Sequence, residues 1–444
     1  MRDLALVRAN AMGPISQAAR ESTVAEPLPN VAVPRPGVAS PRPSASLVSP
    51  KPAPLHPISR RHLDALTGEL GIFQHAIGSS PDPEHGYCVD DVARALEVDV
   101  LHARTLGWDA VAESARRNLR FLEDAFDEES GRFQNFRSID GSWIGGPGSH
   151  DSLGRAMLAL GETIAAAPDP ELVARALVLF ERSLPAARRL TSPRSQASVV
   201  LACACVANSA AVTAPASEED VAIGIAAHAL MRAKATDLHA RFLWLAGPGW
   251  PWLEESLTYE NAVIPRAIIV AGQRLGAAAM LAIGLQVLNW LIDTQTAPAG
   301  HLSPIGNGWW ERGGEKSQFD QQPIEATAIL LAAHAAHRVT GDTRYVAAME
   351  RAYGWFLGRN DLGVWIADPM RGAGSDGLTP DGMNVNEGAE STLMWLVAAE
   401  HIRAIRPPAR ASRAVGRPVP LTPPRTAALV APAAAAGAAA GSAG

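Results

Sequence analysis

Apolar residues recur at three- and four-residue intervals through most of residues 58–405, which is the spacing of a buried helical face. In the stretch 109–126, for example, Val111, Ala115 and Leu119 fall on one stripe. The pattern predicts about twelve helices, whereas alternating strand patterns are nearly absent. The predicted helices span 59–70, 89–106, 109–126, 151–166, 171–189, 195–211, 218–235, 261–274, 277–295, 322–339, 343–358 and 388–405.

The connections between these helices alternate between long and short. Short ones fall at 106–109, 167–170, near Pro215, at 274–276 and at 340–342. Short connections join helices into antiparallel hairpins, so long connections emerge together at the other end. We expect a functional site at that end. The long connections are 72–88, 127–150, the brief 191–194, 247–259, 297–321 and 359–387.

Six helical hairpins fit two architectures, a closed (α/α)6 toroid and an open α-solenoid of the TPR or HEAT kind. No motif recurs at a fixed period, and the long connections differ from one another in detail. Both observations favour the toroid. We therefore predict an all-α fold in which residues 58–406 form one (α/α)6 domain.

The two ends of the chain differ in composition from this domain. Residues 1–57 are dense in Pro, and residues 407–444 consist mainly of Pro, Ala and Arg. Such segments lack the spaced apolar residues that offset ordering entropy, so we predict disordered tails. The chain carries −6 overall, residues 1–57 carry +3 and the segment from Arg406 carries +5, so the region between them carries −14.

Charge and cysteine content exclude several classes of function. An acidic domain argues against a nucleic-acid or anionic-membrane partner. Cys88, Cys203 and Cys205 provide no disulfide framework, and small buried core residues are their simplest interpretation. There is no CxxC pair or His-rich motif, so neither a metal nor an organic cofactor is implied. No apolar run has signal-peptide or membrane-spanning character, which predicts a cytoplasmic protein.

Carboxylates, amides, Trp and Arg recur at the start of every second predicted helix. This composition suits a neutral polyol, because Trp faces stack on a pyranose ring while the polar groups match its hydroxyls. Two carboxylates with separated pKa values would make an acid–base pair for cleaving a glycosidic bond.

Each of these signals also has a structural interpretation. Asp151 is a plausible helix N-cap, and Asp151 with Arg155 is a common i,i+4 pair. Glu325 and Glu390 lie one turn into helices, where acids favour the helix dipole. Residues 149–152 contain serine-hydrolase residue types, but a run that tight cannot align a triad. The Asp90–Asp91 pair lacks the DDxxD spacing of a terpene cyclase.

Five motifs carry a family resemblance. They are Gly-Tyr-x-x-Asp-Asp-x-x-Arg-Ala at 86–95, Gly-Ser-x-Asp-Ser-x-Gly-Arg-Ala at 148–156, Trp-Pro-Trp with Leu-Thr-Tyr-x-Asn-Ala within 250–262, Phe-Asp-Gln-Gln-Pro-Ile-Glu-Ala at 319–326, and Asn-x-Gly-Ala-Glu-Ser-Thr at 386–392. Over residues 60–405 the chain resembles a bacterial six-hairpin glycosidase-like family, often fused C-terminal to glycosyltransferases. The resemblance implies a toroid, a carbohydrate ligand and a glycosyltransferase partner.

The resemblance also implies a set of polar site positions. The chain departs from the family at Glu387, where Gln is usual, and at His150, where an acid is usual. We include Glu387 among the expected substrate-binding residues. The positions carried over are His75, Asp90, Asp91, Asp151, Arg155, Arg194, Glu254, Tyr259, Asn261, Arg312, Asp320, Gln321, Gln322, Glu325 and Glu390.

The leading hypothesis is an inverting glycoside hydrolase or phosphorylase. Its general acid would be Glu325 or Glu390 and its base Asp91 or Asp151, with stacking platforms at Trp252, Trp309 and Trp310. One alternative is a sugar epimerase or isomerase, which needs a histidine near the ring centre, such as His75, His150 or His301. The other is a non-catalytic glycan-binding or scaffold module associated with glycosyltransferases.

Overall fold

Helices dominate the structure, a computed structural model that describes residues 52–214 and 217–406. The predicted tails therefore lie almost wholly outside the described residues. Within those residues there are thirteen helices: α1 (Arg61–Leu66), α2 (Val89–Leu106), α3 (Ala112–Ala125), α4 (His150–Ala166), α5 (Pro170–Ala187), α6 (Pro193–Val206), α7 (Ala210–Thr213), α8 (Glu218–Leu245), α9 (Val263–Arg274), α10 (Ala278–Thr294), α11 (Pro323–Thr340), α12 (Thr343–Phe356) and α13 (Ala389–Ile405).

Six of these helices form a closed inner ring. Going round it, α2 contacts α4, then follow α6, α9, α11 and α13, and α13 contacts α2 again. Five outer helices pack on their ring partners, α3 on α2, α5 on α4, α8 on α6, α10 on α9 and α12 on α11. The short α1 packs on α13 in the sixth outer position. The predicted (α/α)6 toroid is thereby confirmed.

Close approach of α4 and α6 depends on glycine. A Cβ atom added at Gly161 would lie 2.7 Å from the carbonyl oxygen of Ala202, and one at Gly154 would lie 3.1 Å from the Cα of Ser195. Side chains at these positions would push the two helices apart. The glycines therefore bring the N-terminal end of α6 against that of α4.

Residues 52–57, which the sequence assigns to the tail, contact the domain. Ala53 is buried in the hydrophobic core. The Tyr353 hydroxyl donates to the carbonyl of Pro54 at 3.2 Å, and Arg406 donates to the carbonyl of Ala53 at 2.7 Å. These bonds attach residues 52–57 to α12 and to the end of α13. The folded domain therefore begins before the boundary predicted at residue 58.

Two of the long connections form a five-stranded antiparallel sheet that the sequence does not predict. It contains β1 (Phe73–Ile77), β2 (Ser80–Cys88), β3 (Phe126–Asp127), β4 (Arg132–Arg137) and β5 (Trp143–Pro147). The first half of β2 is polar and carries two prolines, so it lacks an alternating apolar pattern. Short pairs join β6 (Ser256–Leu257) to β7 (Trp310–Glu311), β8 (Ala367–Asp368) to β9 (Ala373–Gly374), and β10 (Leu378–Thr379) to β11 (Gly382–Met383).

Polar side chains cap several of the helix starts, but Asp151 is not one of them. Ser217 and Asp220 form a reciprocal capping box on α8, and Asp342 caps α12. On α4 the cap is Ser149, whose hydroxyl accepts from the Ser152 amide at 3.1 Å, so the Asp151 carboxylate is not used as a cap. None of the described helices combines the length and apolar character needed to cross a membrane.

The three thiols are expected to be inert in the folded protein. Burial raises the pKa of Cys88 and Cys203 well above the usual range and that of Cys205 to about 12. Because the thiolate is the reactive form, we expect none to react with a chromogenic disulfide reagent at pH 8, and all three to react in guanidinium chloride. Rapid reaction of any thiol in the native protein would contradict this burial.

Candidate functional site

Polar side chains from the long connections meet at the N-terminal ends of the inner helices, and buried arginines join them. The guanidinium of Arg94 lies 3.1 Å from Asp91 on its own helix and 2.9 Å from Glu390 on α13. Arg94 is 4 % exposed and the Asp91 side chain is 9 % exposed, so this ion pair is largely removed from water, whereas the Glu390 side chain is 39 % exposed. This contact links the first and last helices of the ring.

Arg155 on α4 forms the second junction. Its guanidinium lies 2.9 Å from Glu260, in the connection before α9, and 3.9 Å from Asp90 on α2. The i,i+4 pair expected between Arg155 and Asp151 is replaced by these longer-range partners. Arg155 therefore pairs α4 with acids from α2 and from the connection before α9.

Arg194, which starts α6, forms the third junction. It donates to the Glu254 carboxylate at 2.9 Å, to the Asn261 side-chain oxygen at 3.0 Å and to the Tyr259 carbonyl at 2.5 Å. Its guanidinium carbon lies 4.7 Å from the centroid of the Tyr259 ring. A single buried cation thus fixes the loop that precedes α9.

The carboxylate of Asp151 is held by two hydroxyl donors. Ser195 donates to one oxygen at 2.5 Å, and the Tyr259 hydroxyl donates to the other. Burial would raise the pKa of Asp151, but the charge of Arg155 and the two hydroxyl bonds outweigh it, and the pKa lies below the usual value. Asp151 is therefore ionised at neutral pH.

Glu325, in the first turn of α11, has the opposite environment. It is 2 % exposed, and the Asn261 amide donates to one carboxyl oxygen at 3.2 Å. The second oxygen is buried and has no hydrogen-bond partner among the described residues. Burial raises the pKa of Glu325 to about 7, despite the lowering effects of Asn261 and Arg194. A large fraction of Glu325 is therefore protonated near neutral pH.

Asp151 and Glu325 lie on opposite sides of the toroid. Two other inner helices separate α4 from α11 in either direction around the ring of six helices. A continuous chain of contacts connects the two carboxyls through Tyr259, Arg194 and Asn261. The site thus presents an ionised and a protonated carboxyl from facing helices.

The other two candidate catalytic acids differ from this pair. Asp91 is 6 % exposed, pairs with Arg94 and accepts a weak bond from the Cys88 thiol at 3.4 Å. Burial raises the pKa of Asp91 to about 7. Glu390, by contrast, has a side chain that is 39 % exposed and is held by Arg94. Burial also raises the pKa of Asp90, whose buried oxygen Oδ1 has no hydrogen-bond partner within the described part.

Three residues that the sequence predicts to bind a ligand make contacts within the protein instead. The Trp252 ring is fully buried and its indole donates to the Ser256 carbonyl at 3.1 Å, so neither face can stack on a sugar. Gln321 is fully buried and bonded to Asp361 and to the Trp355 indole. Glu387 forms a two-pronged ion pair with Arg371, at 2.7 and 2.5 Å. Sequence position alone does not give side-chain direction, and a role of these three residues in substrate binding stays a prediction.

The remaining predicted binding residues lie in the loops around this end of the ring. Trp310 packs in an aromatic cluster with Trp250 and Trp290 and is only half-buried. Gln322 is the N-cap residue of α11, without a side-chain capping bond. The others are Trp309, which is half-buried, Asp320, which is exposed, Arg312, whose guanidinium lies 3.7 Å from Glu255, and His75.

Among the described residues, no hydrogen bond or ion pair joins a predicted histidine to Asp151 or Glu325, although His150 directly precedes Asp151 in the chain. The His75 ring packs on His85 with centroids 4.8 Å apart, and His301 lies 2.8 Å from Asp361. His150 begins α4, and burial followed by the charge of Arg132 lowers its pKa. In the described ranges, no group of three or more His, Cys, Asp or Glu side chains is arranged to hold a metal ion.

Three members of the cluster were not predicted. Ser195 directly follows Arg194, and its role depends on the packing of α6 on α4. Asp376 accepts from the Gly388 amide at 2.9 Å, and burial raises its pKa to about 6. Glu260 has a φ of +47°, in the left-handed region that a non-glycine residue rarely adopts. Trp309 and Asp320 share that conformation, so three strained residues lie in the long connections.

Comparisons with known proteins support the fold. No protein-family model matches the chain, and no curated protein sequence matches it. A sugar epimerase from a ruminal bacterium has 14% identity and a TM-score of 0.54, covering 77% of this chain and 95% of its own. Cellobiose 2-epimerase from Spirochaeta thermophila has 13% identity, coverage of 78% and 96%, and a TM-score of 0.56. A D-mannose isomerase has 10% identity, coverage of 78% and 96%, and a TM-score of 0.53. At these identities the similarity concerns the fold alone.

Proposed function

We propose that this protein is a carbohydrate-active enzyme that cleaves a glycosidic bond, with Glu325 as general acid and Asp151 as general base. The observation that carries the proposal is a pair of carboxyls on opposite helices of the ring, one held by two hydroxyl donors and the other buried with an oxygen that has no hydrogen-bond partner among the described residues. Glycoside cleavage with inversion needs one acid that protonates the leaving oxygen and one carboxylate that activates the attacking nucleophile. Glu325 and Asp151 supply these two states near neutral pH.

The other two predicted acids fit these roles less well. Asp91 is covered by Arg94, and Glu390 is engaged by the same guanidinium. Glu325 instead has a buried oxygen without a hydrogen-bond partner in the described part, so this carboxyl has the capacity for one further hydrogen bond. We infer that Arg94 holds Asp91 and Glu390 as a structural and electrostatic support beside the acid–base pair.

The first test is a mass-spectrometric screen of the full chain against manno-, gluco- and galacto-oligosaccharides, with and without phosphate. Asp151→Asn and Glu325→Gln variants run beside it, with Glu315→Gln as the control because Glu315 is an exposed acid in a long connection. Cleavage that both site variants lose and the control keeps supports the proposal. Glycan binding with no turnover by the unmodified protein would favour the non-catalytic module.

A pH profile distinguishes the two carboxyl roles. Glu325 must be protonated and has a pKa of about 7, so kcat/KM is expected to fall about tenfold per pH unit above that value. The pKa of Asp151 lies below its usual value, so Asp151 stays ionised at mildly acidic pH. No decrease in kcat/KM is therefore expected between pH 7 and pH 5. Asp91→Asn should lower activity at every pH and keep the alkaline limb, because that limb belongs to Glu325. A limb that disappears in Asp91→Asn would reassign the acid.

A sugar epimerase or isomerase is the second candidate, because the solved structures with TM-scores of 0.53 to 0.56 carry those activities in their names. In such a reaction a base removes a proton next to a carbonyl of the open-chain sugar. Asp151 has the protonation state of such a base. The glycosyltransferase partner and the cytoplasmic location stay predictions from the sequence.

A further inference from the structure

A polar cavity lies at the end of the ring opposite Asp151 and Glu325. It encloses about 340 Å³ between α9, α11 and α13. Arg274 is the last residue of α9, and Arg338 lies in the last turn of α11, so the cavity opens beside the short connections. The carboxylate pair, in contrast, lies at the first turns of α4 and α11. The two sites therefore occupy different ends of the toroid.

The lining of this cavity is strongly basic. Its charged and titratable members are Arg266, Arg274, Arg338, His334 and His401, and no Asp or Glu occurs among the described residues that line it. Arg266 lies 3.7 Å from Glu162 across the ring, and Arg274 donates to the neutral side chain of Asn208 at 2.9 Å. No carboxylate lies within ion-pair distance of Arg274 or Arg338 in the described ranges.

The two histidines supply one further hydrogen-bond donor, because in the neutral pair one of the two N–H groups is used between the rings. Their Nδ1 atoms are 3.1 Å apart, which requires one ring to donate and the other to accept. Burial, followed by the charges of Arg266 and Arg338, lowers the pKa of His334 to about 4. The neutral histidines thus leave the positive potential of the arginines in place without adding a counter-charge.

We propose that this cavity binds a phosphate-class dianion, either inorganic phosphate or the phosphoryl group of a sugar phosphate. Arginine guanidinium groups match the tetrahedral oxygens of such an anion, and charge-assisted hydrogen bonds to it are strong. A volume of about 340 Å³ is within the range of small-molecule sites. This proposal does not rest on the proposed glycosidase activity.

Titration calorimetry of the full chain tests the site, with inorganic phosphate and glucose 6-phosphate as the two probes. Ionic strength is held constant with chloride, so that general charge screening does not change. The variants are Arg274→Ala and Arg338→Ala, both at exposed positions, and the control is Arg344→Ala, an exposed arginine that pairs with Asp342. We expect saturable binding that each site variant weakens about tenfold or more and the control leaves unchanged.

The two probes distinguish the source of the anion. Equal affinity for both would identify the phosphate group alone as the ligand, whereas tighter binding of glucose 6-phosphate would identify a sugar phosphate. Either result supports the site. Absence of saturable binding of both probes, or binding that Arg274→Ala and Arg338→Ala weaken no more than Arg344→Ala does, would overturn it. Because the readout is binding, its failure is independent of any failure to detect glycoside cleavage.

Discussion

Replacing Glu325 by Gln is expected to lower kcat by about 10²–10⁴-fold, because the amide cannot protonate a leaving group. The same variant should be more stable than the unmodified protein at alkaline pH. Gln keeps a carbonyl oxygen that can accept from Asn261, so the contact seen at 3.2 Å survives. A catalytic loss combined with a gain in stability is the pattern expected of a buried group retained for function.

The sign of the stability effect follows from the direction of the pKa shift. The pKa of Glu325 rises from 4.5 to about 7 on folding, so the neutral form is favoured in the folded state. Its contribution to stability is fully present below pH 4.5 and is lost as the pH rises through 7. The Glu325→Gln variant lacks this loss, so its free energy of unfolding should exceed that of the unmodified protein by about 3 kcal/mol at pH 8.

Urea unfolding at pH 5 and pH 8 measures this difference. The gap between Glu325→Gln and the unmodified protein should be small at pH 5 and large at pH 8. Glu315→Gln serves as the control because that side chain is exposed, and it should change neither activity nor the pH dependence of stability. Equal stability of Glu325→Gln and the unmodified protein at pH 8 would show that Glu325 is not held protonated by burial.

Replacing Arg194 by Ala is expected to lower the free energy of unfolding by about 3–5 kcal/mol, the range for removing one partner of a buried ion pair. Arg194 is 5 % exposed and donates to Glu254, Asn261 and the Tyr259 carbonyl. Its loss would leave several acceptors in the site without their donor. Because Tyr259 and Asn261 in turn bond the two catalytic carboxyls, activity should fall in the same variant.

Two further arginine variants distinguish a specific role from a general charge effect. Arg194→Lys keeps the charge but not the planar guanidinium fork that donates to several acceptors at once, so it should recover only part of the stability. Arg312→Ala removes an arginine whose side chain is 39 % exposed beside Glu255, and its cost should stay below about 1 kcal/mol. If urea unfolding shows that Arg194→Ala lowers the free energy of unfolding no more than Arg312→Ala does, the central role assigned to Arg194 is wrong.

The ring could be predicted from the sequence because alternating connection lengths specify antiparallel hairpins. The alternation also placed the long connections at one end, and there the structure brings Asp151, Arg194 and Glu325 into one network. Helical periodicity and loop composition are local properties, and both can be read along the chain. The division of roles between carboxyls is different, because burial by distant residues sets their pKa values.

Composition does not give side-chain direction, and this limited the sequence analysis at Trp252 and Glu387. Trp252 lies in a loop rich in polar residues, yet its ring is part of the core. Glu387 was included as an expected substrate-binding residue, but in the structure Arg371 binds it with two hydrogen bonds. The strand β2 was missed because its polar residues and prolines give no apolar alternation.

Proton NMR of the reaction in D₂O tests the central assignment most directly. The substrate is whichever oligosaccharide the screen identifies. Acid–base cleavage by Glu325 and Asp151 predicts a new reducing end of inverted anomeric configuration, with hydrogen kept at C2 of the product. Incorporation of deuterium at C2 with the glycosidic bond intact would instead show proton abstraction next to a carbonyl. That result would contradict the glycosidase assignment and establish the epimerase or isomerase alternative.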